Sequence, residues 1–150
     1  MRAIIQRVTE ASVTIDEKIT GQINLGLLVL VGIEPQDSEE DASWLAKKII
    51  QMRIFANEKG VPNLALNEVN GNVLIISQFT LFASTKKGNR PSYIRAARPE
   101  QAIPLYEFFI KTVQSEVKNT IQTGIFGADM KVSLLNDGPV TIFIDSKIKE

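Results

Sequence analysis

Gly26-Leu27-Leu28-Val29-Leu30-Val31-Gly32-Ile33 is an unbroken apolar run with glycine at its start and near its end. A strand open to water on one side alternates apolar and polar residues. A run with no polar interruption suits a strand buried on both faces. This segment is therefore the expected centre of a sheet, and it demands a packed layer on each side.

Working outward, Arg2 to Thr9 and Ala11 to Asp16 read as two strands, the second alternating Val13 and Ile15 against Ser12, Thr14 and Asp16. Ile19 to Ile23 can add a short pairing. On the other side, Asp37 and Glu40 open a helix expected from about Ser38 to Arg53, with Ala42, Leu45, Ala46, Ile49 and Met52 at helical spacing. Trp44 falls beside that stripe, where packing at a layer or subunit boundary competes with ligand stacking. Asn57 to Gly71 is loop with a tight turn at Asn70-Gly71. Val73 to Phe82 is the next strand, apolar at first and then interrupted by Ser77, Gln78 and Thr80 where core is expected. Such a conflict between pattern and residue marks a candidate site.

Lys86 to Arg98 reads as loop, and Pro99-Glu100 opens a helix whose apolar face is Leu105, Tyr106, Phe109, Val113 and Val117. Gly124 to Met130 is too rich in glycine for a helix. Lys131 to Leu135 and Val140 to Ile144 read as two strands joined through Asn136-Asp137-Gly138-Pro139. Seven strands against two helices predict a single α/β domain over residues 1–150, with mixed β-sheets and helices on one side, in α/β/β layers. Two helices cannot cover both faces of so much sheet, and a homodimer is the simplest cover for the other.

Composition limits the chemistry. The chain has no His and no Cys, which excludes a Ser-His-Asp triad, a Cys-His pair and any imidazole or thiolate metal site. Proton transfer must then use carboxylates, hydroxyls, amines, backbone groups, water or the substrate itself. No P-loop, dinucleotide-binding or calcium-loop pattern occurs, so no metal and no cofactor is expected. No apolar run reaches the ~18 residues of a membrane span, and Met1 to Glu10 lacks the apolar stretch of a secretory signal. A cytoplasmic protein is the expectation. The 17 basic and 17 acidic residues cancel, yet Lys86 to Arg98 holds Lys86, Lys87, Arg90, Arg95 and Arg98 with no acidic residue. Basic residues interleaved with Tyr93 suit a nucleic-acid backbone, and a solvated loop explains them equally well.

Two further stretches can carry chemistry. In Asn136-Asp137-Gly138-Pro139-Val140-Thr141, Gly-Pro supplies two carbonyls, no proline N–H, and a tertiary amide whose cis form costs only ~0.5–1 kcal/mol. A cis bond would turn both carbonyls outward as an acceptor pair able to hold an ammonium group. An ordinary turn between strands is the alternative. In Ser77-Gln78-Phe79-Thr80-Leu81 a hydroxyl has no imidazole to activate it, so backbone N–H groups serving as an oxyanion hole are the more economical reading. Polar residues ending a strand are the plain alternative.

Taken together, MRAIIQRV, GLLVLVGI, SQFTLFA, KGNRPSY, PLYEFF, GIFGADM and NDGPVT resemble the D-aminoacyl-tRNA deacylase family, also called D-tyrosyl-tRNA deacylases, in order and approximate spacing. SQFTL followed by NDGPVT is the specific pair. The resemblance implies an ester hydrolase that releases a D-amino acid from tRNA, or glycine from mischarged tRNA-Ala, in proofreading during translation. It implies a homodimer in which Gly138 and Pro139 enter the partner's pocket and reject L-residues. Ser77, Gln78, Phe79 and Thr80 would line the pocket, Phe126 and Met130 would contact the terminal adenine, and Arg7 would brace the Gly-Pro turn. The RNA's 2′-hydroxyl would assist catalysis, with Thr80 a positioning residue. Ser84 and Val61-Pro62-Asn63 depart from the family pattern. A non-catalytic nucleic-acid-binding dimer is the rival reading.

Overall fold

The computed structural model describes residues 1–149. In chain order the strands and helices are β1 (Arg2–Ile15), β2 (Lys18–Ile23), β3 (Gly26–Gly32), α1 (Glu39–Gln51), β4 (Phe55–Ala56), β5 (Pro62–Leu64), β6 (Asn72–Ser77), α2 (Pro99–Glu116), β7 (Gln122–Thr123) and β8 (Lys131–Asp145). Short 3-10 helices occupy Leu66–Glu68 and Phe79–Phe82. The apolar run at Gly26 does lie at the centre: β3 pairs antiparallel with β1 on one edge and parallel with β6 on the other. β6 in turn pairs parallel with β7. Parallel neighbours need a crossover. Here α1 lies in the β3–β6 connection and α2 in the β6–β7 connection, and the two helices pack together.

The burial pattern shows why one sheet serves two layers. Leu27, Val29 and Val31 of β3 and Val73 and Ile75 of β6 join a core with Leu45, Ile49, Leu105, Tyr106 and Phe109 of the helices. The alternate residues Leu28, Leu74 and Ile76 join a second core with Val8, Ala11, Val13 and Ile23. Strand residues alternate faces, so Ala3 and Ile5 on the helix side place Val8 on the opposite side. Ala11 and Val13 should then return to the helices. They do not, because the register against β8 slips between Gln6 and Val8 and again between Val8 and Glu10. A bulge of this kind exchanges the two faces of a strand and bends it. The outer half of β1 therefore carries β2 across the face of β6 and β7, and a Cβ on Gly21 would stand 3.1 Å from the Thr123 carbonyl and 3.2 Å from Leu74 Cδ1. The layers are helices, central sheet and folded-over strands.

Several boundaries differ from expectation. The two N-terminal strands are one strand, β1, and the two C-terminal ones are one strand, β8, because each irregularity is a bulge that pairing continues across. The strand expected to reach Phe82 stops at Ser77, where the chain enters the 3-10 helix Phe79–Phe82. The two-residue strands β4 and β7 and the three-residue β5 carry too few residues for a periodic signal. Trp44 packs half-buried at the edge of the helix-side core, with Lys149 Nζ 4.9 Å and Lys48 Nζ 5.8 Å from its ring centroid.

One polar network ties the N-terminus to α1 and the end of β8. The Met1 ammonium donates to Asp37 and to Ser146 Oγ, while Asp37 also accepts the Glu34 N–H at 2.8 Å. Asp41 accepts the Ser38 N–H at 2.9 Å, closing the first turn of α1, and pairs with Lys147 Nζ at 2.6 Å. Burial alone would raise the Asp41 pKa. The Lys147 and Ser38 hydrogen bonds outweigh it and hold the carboxyl well below the usual carboxylate range. A depressed pKa contributes stability that is complete above the unfolded value of about 3.9 and is lost as pH falls from there. Asp41→Asn should thus cost about 1 kcal/mol at pH 7, with the difference from wild type shrinking below about pH 4. Urea unfolding at pH 7, 4 and 2.5 checks this, and a difference independent of pH would refute the assignment.

Candidate functional site

The site begins where β6 ends. Ser77 still pairs with Val31, and the Gln78 N–H donates to the Val31 carbonyl at 2.6 Å. The chain then leaves the sheet as the 3-10 helix Phe79–Phe82. N–H groups at the start of a helix have no acceptor within it, and among the described residues those of Phe79 and Thr80 have no hydrogen-bond partner. Gln78 Nε2 donates to Thr80 Oγ1, which fixes the hydroxyl oxygen as acceptor and leaves its proton for another partner. Phe79 remains 54% exposed, with Tyr93 edge-on at a centroid distance of 5.0 Å.

Beside this turn lies a cavity of about 250 Å³. Ser77, Gln78 and Phe79 line it together with Val31, Ile33 and Ile76 of the sheet region, Ala97 and Ala102 near the start of α2, and the loop Phe126 to Met130. That loop is tied to the sheet through the Gly124 N–H, which donates to the Ile75 carbonyl at 3.0 Å. Its apolar side chains and its size suit a flat aromatic group. Tyr106 of α2 also lines the cavity; its hydroxyl donates to the Ile75 carbonyl at 3.3 Å, and its ring lies 5.7 Å from that of Phe126. Burial pushes the Tyr106 phenol up to about 12, so it stays protonated and cannot serve as a base near neutral pH. Tyr106 escapes a sequence reading because its position on the α2 stripe marks it as core. The polar handle on a core position is the one signal that points to it.

The second constellation stands on β8. Pairing with β1 passes from Thr141↔Gln6 to Asn136↔Val8, so residues 137–140 leave the ladder opposite Arg7. The Gly138-Pro139 peptide is cis. Arg7 Nε lies 3.2 Å from both the Asp137 carbonyl and its carboxylate, and Nη1 donates to the Ile54 carbonyl. Asn136 Nδ2 donates to the carbonyls of Arg7 and Val140, each at 3.0 Å, and pins both feet of the turn. Gly138 has φ +121°, and a Cβ there would meet Arg7 Nη2 at 2.7 Å. An L side chain would be strained at this backbone geometry and would also collide with an arginine already held at two points.

Of the residues singled out from the sequence, Ser77, Gln78, Phe79, Phe126 and Met130 converge on the one cavity, with Thr80 next to it along the chain. Gly138, Pro139 and Arg7 do not line it. Among the described residues no three His, Cys, Asp or Glu side chains gather as a metal site.

Comparison with known proteins agrees over nearly the full length. The pattern of the family described as D-Tyr-tRNA(Tyr) deacylase matches residues 4–145. A protein of Flavobacterium psychrophilum named D-aminoacyl-tRNA deacylase is 60% identical over 150 residues, covering 100% of both chains. A solved structure named c-Myc DNA Unwinding Element Binding Protein superposes with a TM-score of 0.91 at 36% identity, covering 97% of this chain and 98% of the other. A second, named a probable eukaryotic D-amino acid tRNA deacylase, gives a TM-score of 0.81 at 16% identity over 95% and 97% of the two chains, a likeness of fold.

The Arg7 bracing has a measurable consequence. Arg7→Met keeps the aliphatic stem but leaves the Ile54 and Asp137 carbonyls without their donor, at a cost of about 2 kcal/mol. Urea unfolding monitored by circular dichroism checks this; a loss below about 0.5 kcal/mol, the usual effect of a surface substitution, would show that the guanidinium does not hold the turn.

Proposed function

Since the chain belongs to the D-Tyr-tRNA(Tyr) deacylase family, a family of ester hydrolases, we propose that it removes D-amino acids, and glycine mischarged on tRNA-Ala, by reading handedness with main-chain carbonyls. The reading is carried by the arrangement of the two constellations. Ser77, Gln78, Phe79, Phe126 and Met130 gather on one cavity, while Gly138 and Pro139 stand on a turn outside it, locked by Arg7 and Asn136.

In this account two subunits associate so that each turn enters the other's pocket. The carbonyls of Gly138 and Pro139 accept hydrogen bonds from the substrate ammonium group and fix where it sits. A D-residue then directs its side chain outward to solvent. An L-residue directs it into the turn and is excluded by contact. Phe126 and Met130 take the terminal adenine in the apolar cavity. The ester carbonyl oxygen lies against the free N–H groups of Phe79 and Thr80, which stabilise the oxyanion as water attacks. The ribose 2′-hydroxyl relays the proton from the attacking water to the departing 3′-oxygen. Hydrolysis yields the free amino acid and tRNA, and no side chain acts as nucleophile. Thr80, whose oxygen already accepts from Gln78, positions the substrate.

Three substrates test this: D-tyrosyl-tRNA, L-tyrosyl-tRNA, and D-tyrosyl-tRNA ending in 2′-deoxyadenosine. The D-ester should be hydrolysed at least about 100-fold faster than the L-ester, the loss in rate that a misplacement of roughly 1 Å produces. The deoxy substrate should be slower by a similar factor, as for a missing general acid–base group, about 10²–10⁴. Equal D and L rates would end the chirality reading, and a full rate on the deoxy substrate would remove the 2′-hydroxyl. The rival, a non-catalytic nucleic-acid-binding dimer, draws on the name of the 36% identical structure and predicts no release from any of the three.

A further inference from the structure

The basic segment after Ser84 has no part in the ester chemistry, yet it is attached to the pocket at two places. Tyr93 packs edge-on against Phe79, and the Ala97 N–H donates to the Ile33 carbonyl at 2.8 Å, with Ala97 and Ile33 both lining the cavity. Ser84 and Ser92 exchange paired backbone hydrogen bonds of 2.9 and 2.8 Å, closing the residues between them into a finger. Every residue from Lys86 to Ile94 is exposed.

The five cations of the strip divide into two kinds. Arg95 lies 3.6 Å from Glu34, and Arg98 is exposed at the N-cap of α2, so both lie outside the finger. Lys86, Lys87 and Arg90 make no ion pair among the described residues and stand on the finger itself, with Gly88 at its tip. At the finger's base an apolar surface faces water: Ile94 is 91% exposed, Phe79 54% and Tyr93 40%. Unpaired cations beside exposed aromatic rings, leading to a cavity of a size for a flat base, are the combination that holds single-stranded nucleic acid. Rings stack with bases while cations follow phosphates. The finger extends at most roughly 13 Å beyond its closing bridge, at about 3.3 Å per residue. That length spans about four phosphates at the ~3.4 Å spacing of a stacked strand.

We infer that this finger is the docking surface for the single-stranded 3′ end of tRNA. Lys86, Lys87 and Arg90 hold successive phosphates, and Tyr93 and Ile94 carry the bases that precede the terminal nucleotide. The inference rests on the proposed function for its partner, but not on catalysis for its test.

The experiment titrates uncharged tRNA against the full-length protein at several KCl concentrations, by fluorescence anisotropy. Wild type is compared with K86A/K87A/R90A and with K18A/K59A/K111A, which removes equal charge from exposed positions elsewhere. Each lost phosphate contact on a single strand lowers the slope of log Kd against log salt by about 0.7, so the finger variant should lose about 2 from the slope. Its Kd at 0.15 M salt should rise about 50-fold, the electrostatic part being spent near 1 M. The control variant should keep the wild-type slope. An unchanged slope in the finger variant, or equal losses in both variants, would overturn the proposal. Tyr93→Ala should weaken binding without altering the slope, since stacking carries no charge; a slope change there would also count against it. If wild type bound tRNA in this manner but hydrolysed none of the three esters, the catalytic reading would fail and the docking surface would stand.

Discussion

The pairing of β1 with β8, interrupted at Arg7, is the constraint on which the rest of the molecule depends. It runs from Arg2↔Asp145 to Thr14↔Lys131 and slips twice around Val8. On β1 the slip exchanges faces, so that Ala11 and Val13 build a second core in place of extending the first. On β8 it expels Asp137 to Val140 from the ladder, opposite the arginine that then holds the turn. Two adjacent slips thus create the layered fold and the projecting turn. A regular antiparallel ladder in this place would leave neither a second core nor a braced turn.

The two constellations differ in how they are made rigid. The pocket is built on secondary structure: Ser77 ends a central parallel strand, and the free N–H groups follow because a 3-10 helix starts there. The turn is built on side chains, with Arg7 and Asn136 satisfying carbonyls on both sides of it. Phe79, Gly138 and Pro139 are all exposed, and backbone groups do not titrate. An esterase that worked through backbone groups, as proposed above, would have no need of imidazole or thiol, which would account for a chain with no His and no Cys.

Much of this was legible in the residues, and the remainder was hidden for definable reasons. The apolar run at Gly26 located the sheet centre because burial on both faces removes alternation, and the α1 stripe located a helix to within about two residues, the usual uncertainty of helix ends. Joining Arg2–Thr9 to Ala11–Asp16 was not legible, since a bulge breaks the period of two just as a turn does. The end of β6 was misplaced because Phe79, Leu81 and Phe82 continue an apolar pattern after the chain has left the sheet. SQFTL and NDGPVT, singled out through polarity and Gly-Pro chemistry, fall on a cavity wall and on a braced cis turn. Their separation into a pocket and a turn outside it depends on long-range pairing that no local pattern encodes. Tyr106 was hidden by its helical spacing, which is indistinguishable from that of a core residue.

The central claim is that the turn of one subunit completes the pocket of the other, and subunit mixing tests it most directly. Chains carrying Gly138→Ala keep a sound pocket with a distorted turn. Chains carrying Phe79→Glu keep a sound turn with a carboxylate in the pocket wall. Each homodimer should fail to hydrolyse D-tyrosyl-tRNA. After the two are unfolded and refolded together, random pairing in a two-fold dimer gives one complete site in each mixed pair, and about a quarter of the wild-type rate should return. No recovery, with mixed dimers shown to be present, would place turn and pocket in the same subunit and contradict the account.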